Sequence, residues 1–340
     1  MATTSPAAPR VEARATSPIG LVGNTPLVRL EALGAGLPSE IYVKLESANP
    51  GGSVKDRTAL SMIRGAEQAG VLQPGATIVE SSSGNTGIGL ALIGALTGHP
   101  VIVVAGDTTS EEKLAVLRSL NAEVVLTDWT APADSPDNAR NVAARLAAEI
   151  PGSWRPQQFD NPANPQAHYT STGPEIWDQT SGAVTHFVAS IGTGGTISGT
   201  GAYLKDRSLG TVKVLGADPA GSVYSGGEPG EIIVDGVGNT WGRAEWPTTF
   251  NSHIVDEFIR VPNDLVYSTV HRLATEEGLI LGPSSGLAIA AALQTAQSAP
   301  AGSTIVAIAP DAGTNYLSKA FNRSWLAENG ITLDSLAHSR

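Results

Sequence analysis

The stretch TIVESSSGNTGIGLALIGALTGHPVIVVAG, residues 77–106, contains one complete strand–helix–strand repeat of this 340-residue chain. The short apolar segments TIVESS and PVIVVAG flank NTGIGLALIGALTG, which has the length of a helix. Strands joined by a crossover helix lie parallel to each other, and the connection is almost always right-handed. Because both strands are apolar with little alternation, they are predicted to be buried on both faces of a sheet.

The same alternation extends over most of the chain. Further strands are predicted at EIYVKLE (40–46), AEVVLTD (122–128), THFVASIG (185–192) and VKVLGADP (212–219). Further helices are predicted at RTALSMIRGAEQAG (57–70), SEEKLAVLRSLN (110–121) and GTISGTGAYLKD (195–206). This pattern predicts an α/β fold with mostly parallel sheets, and the length predicts two subdomains. Two polar stretches, 131–164 and 219–252, are predicted to be long irregular segments.

The composition excludes several classes of protein. A formal net charge of −11 argues against nucleic acid or an anionic membrane as a partner. The absence of cysteine excludes a disulfide scaffold and a thiolate nucleophile, and the six histidines lack metal-ligand spacing, so no metal is expected. The longest apolar run, 88–105, is interrupted by glycine and proline, and no secretory signal is recognised, so a cytoplasmic protein is expected.

Two loops that each join a strand to a helix have the residues of an anion site. Hydroxyls and amides beside free helix N–H groups bind anions, and glycines allow close approach of the backbone. The first loop, ESSSGNTG (80–87), contributes Ser82, Ser83, Asn85 and Thr86; the second, GTGGT (192–196), contributes Gly192, Thr193, Gly194, Gly195 and Thr196. The second loop lacks a dinucleotide fingerprint, because Ile197 stands where glycine is required. Helix capping or a tight turn is the ordinary alternative for either loop.

Two single residues are candidates for chemistry at the same sheet edge. Lys55, one of six lysines, follows a Pro-Gly-Gly-Ser bend and precedes a predicted helix. Ligands bind at the carboxyl edge of parallel strands, and a desolvated lysine there can act as a nucleophilic amine. Ser284 follows Gly282-Pro283 and precedes a very apolar helix. A solvated lysine and an N-cap serine are the ordinary alternatives.

Six segments in order resemble the fold-type II pyridoxal-phosphate (PLP) enzymes of the cysteine synthase and cystathionine β-synthase family. They are GNTPLVRL (23–30), KLESANPGGSVKDR (44–57), ESSSGNTG (80–87), QFDNPANPQAHY (158–169), GTGGT (192–196) and GPSSG (282–286). The resemblance spans about residues 19–330 and implies two three-layer αβα subdomains, as in a tryptophan synthase β-like fold. It implies a large PLP-binding domain (17–55 and 165–332) and a smaller mobile domain (56–164) with the substrate-carboxylate loop. Residues 1–16 and 333–340 are expected to be tails, the first of them disordered.

The resemblance also implies a role for each candidate. Lys55 would form a Schiff base with pyridoxal 5′-phosphate, and the loop Gly192, Thr193, Gly194, Gly195, Thr196 would bind its phosphate. Asn85 would hydrogen-bond the 3′-oxygen of the pyridine ring, and Ser284 its nitrogen. The substrate carboxylate would contact Ser82, Ser83, Thr86 and Gln158, and Gly236 would line the β-substituent side.

The implied reaction is β-replacement on serine or an O-activated serine through an aminoacrylate, in which a thiol or sulfide gives cysteine or cystathionine. At position 159 this chain has Phe, as cysteine synthase does, where cystathionine β-synthase usually has Tyr. Three later segments instead resemble cystathionine β-synthase: GADPAGS (216–222), VDGVGNTW (234–241) and 310–330. Asn239 stands where relatives usually have Tyr or Ala. The segment 218–227 has no arginine, which disfavours O-phosphoserine. The family is homodimeric, so a homodimer is expected.

Three alternatives stay open at the level of sequence. One is a synthase of diaminopropionate or another β-substituted alanine, with an amine nucleophile. Another is a serine/threonine dehydratase on the same fold. The third is a non-catalytic binding protein that has kept the fold.

Overall fold

The computed structural model describes residues 15–82, 84–128, 130–132 and 134–333. The predicted substrate residue Ser83 lies outside these ranges, as do residues 1–14 and 334–340 of the two predicted tails.

The larger of two sheets has six strands in the spatial order β1–β2–β9–β6–β7–β8. The strands are β1 (Leu27–Arg29), β2 (Glu40–Leu45), β6 (His186–Ser190), β7 (Lys213–Pro219), β8 (Glu257–Val261) and β9 (Thr304–Ala309). Strand β1 is antiparallel to β2, and every other neighbouring pair is parallel. The smaller sheet is parallel throughout and consists of β3 (Ile78–Ser81), β4 (Val101–Gly106) and β5 (Glu123–Thr127).

Ten α-helices connect or flank these strands in the described ranges. They are α1 (Lys55–Gln68), α2 (Asn85–Thr97), α3 (Glu111–Ser119), α4 (Ala139–Glu149), α5 (Ala163–Ala167), α6 (Gly173–Gln179), α7 (Gly195–Arg207), α8 (Asn263–Glu276), α9 (Pro283–Ser298) and α10 (Arg323–Glu328). None of the helices in the described parts of the chain is long and apolar enough to cross a membrane.

Strand β9 shows why the large sheet needs helices on both faces. Ile305 and Ala307 belong to a core that includes residues of α8 and α9, whereas Val306 and Ile308 belong to a second core with residues of α7. Successive side chains of a strand point to opposite faces, so each face buries its own set. The sheet is therefore the middle of three layers.

The small sheet is covered in the same way. Val103 of β4 packs with residues of α1 and α2, while Ile102 and Val104 pack with Val142 and Ala143 of α4. The predicted fold class, two αβα units with mostly parallel sheets, is confirmed. The domain boundaries stay a prediction, although the small sheet and α2–α4 fall within 56–164.

One of the two predicted irregular segments is partly wrong. Residues 131–164 include α4, which Asn138 caps by accepting a hydrogen bond from the Arg140 N–H (3.1 Å). Burial of Val142 and Ala143 against the small sheet stabilises this helix despite its polar surroundings. The other segment, 219–252, is irregular as predicted, apart from a 3₁₀ turn at Arg243–Glu245 and its two end residues, which belong to β7 and to a 3₁₀ turn at Ser252–Ile254.

Candidate active site

Lys55 is the first residue of α1 and is positioned by the glycine turn before it. Gly52 has φ +79°, a conformation that favours glycine, and the carboxylate of Asp56 accepts a hydrogen bond from the Gly51 N–H (2.5 Å). The Lys55 N–H donates to the Ser53 hydroxyl (3.2 Å). The predicted bend and helix start are both present, and they fix the direction in which the lysine leaves the backbone.

The environment of Lys55 favours the neutral amine. Desolvation by the surrounding protein lowers the pKa of Lys55, and the carboxylates of Asp311 and Glu46 oppose that shift. Lys55 as a whole residue keeps some exposure to solvent. A lysine of lowered pKa at this sheet edge has the properties of a nucleophile and of a base.

Backbone hydrogen bonds connect the Lys55 turn to the end of β9 and to the start of α9. The Val54 N–H donates to the Pro310 carbonyl (2.7 Å), and the Gly282 N–H donates to the Asp311 carbonyl (3.1 Å). Ser284 is the second residue of α9 rather than its N-cap, which is Gly282, so the capping alternative is wrong. Ser284 is buried and belongs to the same junction as Lys55.

Asn85 opens α2 and is bonded to an acid that the sequence did not single out. Its amide Nδ2 donates to Asp311 Oδ2 (2.7 Å), and the Tyr316 hydroxyl donates to the same oxygen (2.5 Å). Burial raises the pKa of Asp311. The Asn85 Oδ1 atom is buried and accepts no hydrogen bond from the described residues, so it is free for a ligand donor.

Helix α2 also brings the predicted carboxylate residues together. The Thr86 hydroxyl donates to Gln158 Oε1 (2.5 Å), and both residues are buried. Within the described ranges, the Gln158 amide Nε2 donates to no other residue. The Ser82 hydroxyl accepts hydrogen bonds from the N–H groups of Gly84 (3.3 Å) and Gly87 (3.1 Å), so it shapes this loop.

The loop from Gly192 to Thr196 packs too closely for side chains at its glycines. A Cβ at Gly192 would lie 2.5 Å from the Gly236 carbonyl oxygen, and one at Gly195 would overlap the Asn164 amide. Gly194, at φ +81°, is the N-cap of α7 and provides no side-chain cap. The Gly195 N–H donates weakly to the Thr193 hydroxyl (3.3 Å), whereas the N–H groups of Thr196 and Ile197 have no hydrogen bond to the described residues and can bind an anion, whose negative charge the helix dipole favours.

Two residues that the sequence did not assign hold this loop against α1. The Asn164 amide donates to the Thr193 hydroxyl (3.0 Å). The His168 Nε2 atom lies 3.2 Å from the Thr196 hydroxyl and 3.4 Å from that of Thr58, one turn along α1 from Lys55. Both belong to the segment QFDNPANPQAHY, whose match to the family was the only available signal.

The structure therefore places most of the predicted site residues around one junction. Lys55, Ser284 and Asn85 meet through the 310–312 segment, Thr86 and Gln158 are bonded to each other, and Gly236 faces Gly192. Ser82 shapes the neighbouring loop. Asp311, Asn164 and His168 join this set.

These residues fit the pyridoxal phosphate that the resemblance implies. The fit rests on three features of the described residues: a lysine of lowered pKa, a glycine cradle at the N-terminus of a 13-residue helix, and an unpartnered oxygen on Asn85. The lysine suits the aldehyde of the cofactor, the glycine cradle suits its phosphate, and the Asn85 oxygen suits its ring hydroxyl.

Comparison with known proteins gives matches over nearly the whole chain. A family described as "Pyridoxal-phosphate dependent enzyme" matches residues 19–311. Cystathionine beta-synthase of Rattus norvegicus is 42% identical over 329 residues, which is 94% of this chain and 57% of that protein. This chain thus spans under two thirds of that relative's length.

In two further matches, the alignment covers most of this chain and nearly all of the other protein. Cysteine synthase B of Salmonella typhimurium is 43% identical over 297 residues, or 87% of this chain and 93% of that protein. The crystal structure of the O-acetylserine dependent cystathionine beta-synthase of Helicobacter pylori has a TM-score of 0.83 and 38% identity, covering 90% of this chain and 98% of that one.

Proposed function

Because this chain belongs to the cysteine synthase and cystathionine β-synthase family of pyridoxal-phosphate-dependent enzymes, we propose that it catalyses β-replacement on serine or an O-activated serine. The resemblance drawn from six sequence segments is thereby confirmed, and so is the cofactor of the family, pyridoxal 5′-phosphate. The incoming group in this proposal is sulfide or a thiol, and the product is cysteine or a thioether such as cystathionine.

The observation that carries the proposal is the position of Lys55. Burial lowers the pKa of its amine, and Lys55 is the first residue of α1. Helix α1 packs closely against α2 there, since a Cβ added at Gly89 would lie 3.0 Å from the Lys55 carbonyl oxygen. One turn before Gly89, α2 presents Asn85, and His168 lies between Thr58 of α1 and Thr196 of the glycine loop. An amine, a loop that suits a phosphate and a group of donors that suits a carboxylate lie close together, as binding of an amino acid joined to the cofactor requires.

Bound pyridoxal phosphate supplies an electron sink for negative charge that develops at the substrate Cα. Lys55 is the proposed base, since a neutral amine is able to accept the Cα proton and return a proton later. Arginine at this position would stay protonated and could serve neither purpose.

The other predicted residues have proposed roles in binding and orientation. The substrate carboxylate is proposed to accept hydrogen bonds from the Gln158 amide and from the N–H groups at the start of α2, beside Ser82, Ser83 and Thr86. Thr86 supports this role because its bond to Gln158 Oε1 leaves the amide donors free.

Three further proposals concern the cofactor and the leaving group. The Gly192–Thr196 loop would bind the cofactor phosphate, and Asn85 its ring oxygen. Ser284 would contact the ring nitrogen, where a hydroxyl stabilises positive charge less than a carboxylate would. Gly236 would line the side on which the leaving group departs.

The proposal is tested by a matrix of substrates on the holoenzyme. Serine, O-acetylserine and O-phosphoserine are each combined with sulfide and with homocysteine, and amino-acid products are quantified. We expect thioether or cysteine formation with at least one pair and its loss in Lys55→Ala. Pyruvate as the main product, equally fast without a nucleophile, would instead identify a dehydratase, and no turnover of any pair by a protein that retains the cofactor would contradict the proposal.

We also propose that the enzyme is a cytoplasmic homodimer with a mobile small domain. Membership of the family supports this proposal. Sedimentation equilibrium of the holoenzyme tests the oligomeric state, and a monomer at micromolar concentration would contradict it.

A further inference from the structure

Arg140 lies at the rim of the candidate active site. It is the second residue of α4, and its guanidinium carbon is 4.2 Å from the ring centroid of Trp241 and 4.9 Å from that of Phe159. Phe159 directly follows Gln158, whose side chain is bonded to Thr86. The Thr249 N–H donates to the Phe159 carbonyl (3.2 Å), and the Thr249 hydroxyl donates to the Thr193 carbonyl (2.7 Å), so Phe159 links Arg140 to the Gly192–Thr196 loop.

The other side of Arg140 is continuous with the segment proposed to line the β-substituent side. The Trp241 N–H donates to Asn239 Oδ1 (2.8 Å), and the Asn239 N–H donates to Ser222 Oγ (3.1 Å). Asn239 is buried, and its side chain lies beside the hydroxyl of Tyr224. The segment also contains Gly236, so Arg140 bridges the two walls of the site.

The guanidinium of Arg140 is held in place without an acidic partner. Among the described residues, no carboxylate lies within salt-bridge distance of it, although Arg57 and Arg272 are both paired. Asp160 and Glu80 act on Arg140 electrostatically from beyond salt-bridge distance, and the Asp160 carboxylate accepts a hydrogen bond from Thr248 (3.1 Å). Partial burial lowers the pKa of Arg140, yet a guanidinium stays charged at any working pH.

We infer that Arg140 is a specificity-determining residue that binds an oxyanion of a substrate at the β-substituent side of the site. The inference rests on the proposed function for its reaction. Contact with two rings orders the side chain in advance, and its planar fork of N–H donors suits a carboxylate or a phosphate.

The same oxyanion chemistry has two sources in a β-replacement. One is the carboxylate of an anionic thiol nucleophile, and the other is the phosphate of O-phosphoserine as the leaving group. The sequence disfavoured the second because residues 218–227 contain no arginine, whereas the fold brings Arg140 to this rim from α4.

The first test compares pairs of substrates that differ in this charge. With O-acetylserine, kcat/KM is measured for 3-mercaptopropionate and for its neutral amide; with sulfide, it is measured for O-phosphoserine and for O-acetylserine. Each pair gives a ratio of kcat/KM, that of the compound with the extra oxyanion divided by that of its partner. In Arg140→Met, which keeps an apolar side chain over the rings, we expect one of the two ratios to fall roughly 10- to 100-fold, as the loss of one hydrogen bond to a charged group would cause. The ratio that falls identifies the source of the oxyanion. Arg140→Lys should recover part of it, because it keeps the charge without the fork.

Arg207→Met is the matched control. Arg207 also contacts an aromatic ring, 5.6 Å from the Trp177 centroid, but it ends α7. The Gly192–Thr196 loop lies at the other end of that helix, so it is about 18 Å from Arg207 at 1.5 Å per residue. Neither ratio should change in this variant.

The second test measures binding without turnover. The holoenzyme is titrated calorimetrically with 3-mercaptopropionate and with inorganic phosphate, and at least one should bind 10- to 100-fold more weakly to Arg140→Met than to Arg207→Met. If Arg140→Met weakens binding of either probe although the protein has no β-replacement activity, the proposed function fails and the oxyanion site stands. Equal affinities in the two variants, an equal change for charged and neutral partners, or no binding of either probe by the unmodified holoenzyme would overturn the inference.

Discussion

Replacing Gly194 with alanine tests whether the Gly192–Thr196 loop is packed as described. Gly194 has φ +81°, and an added Cβ would overlap the Cβ of Phe250 and lie 2.7 Å from its Cα. Because the second contact is with backbone, it cannot be relieved by a side-chain rotation alone.

The magnitude follows from two separate terms. A left-handed conformation costs an alanine about 1–2 kcal/mol relative to glycine. Overpacking a tight site adds about 1–3 kcal/mol, so Gly194→Ala should lower the free energy of unfolding by about 2–5 kcal/mol in total. The loop must also move, and loss of one charge-assisted hydrogen bond to the phosphate would weaken cofactor binding roughly 10- to 100-fold.

Gly302→Ala separates the two terms. Gly302 has φ +82°, and an added Cβ would meet nothing within 4 Å, so only the conformational term of about 1–2 kcal/mol applies. Urea unfolding gives the free energies, and fluorescence titration with pyridoxal phosphate gives the affinities. If the two variants lose equal stability and bind the cofactor equally well, the described packing of this loop is wrong.

Two further predictions concern buried charge. Burial raises the pKa of Glu80 to about 7, above its ordinary 4.5, so the folded state keeps a proton that the unfolded chain loses and stability falls as pH rises between these values. Glu80→Gln should therefore gain up to about 3 kcal/mol over the unmodified protein between pH 4.5 and 7, and a pH-independent difference in urea unfolding would contradict this. Arg57 bonds the carboxylates of Glu46 (2.7 Å) and Glu175 (2.6 Å) in the interior, so Arg57→Met should destabilise by about 3–5 kcal/mol. Arg29→Met, which breaks only the exposed pair with Glu40, should cost less than about 1 kcal/mol in the same thermal or urea assay; equal losses would refute the argument.

The alternation of strands and helices could be predicted because local sequence marks it clearly. Glycine and proline separate α2 from β4, and the strands are short, apolar runs with helices between them. Helix α4 was missed because the segment before it is rich in Asp, Pro and Ser, which favour turns. Its apolar residues Val142 and Ala143 gain their stability from the small sheet, which local sequence does not reveal.

The candidate site could be predicted only in part. Lys55 and the two anion-binding loops follow strands or turns and are therefore recognisable from local pattern. The bond between Asn85 and Asp311 joins residues 226 positions apart, and Arg140 meets Trp241 only because two walls of the site converge. Such contacts depend on tertiary structure. Asp311 did carry one weak local signal, since it follows the buried strand β9 at the sheet edge.

Borohydride trapping on the holoenzyme examines Lys55 itself. The reagent reduces the carbon–nitrogen bond between cofactor and lysine and makes it permanent, after which peptide mass mapping locates the label among the six lysines. We expect the phosphopyridoxyl group on the peptide containing Lys55 and on no other, with no label in Lys55→Ala. A label on any other lysine, or none in a protein that retains the cofactor, would contradict the role proposed for Lys55.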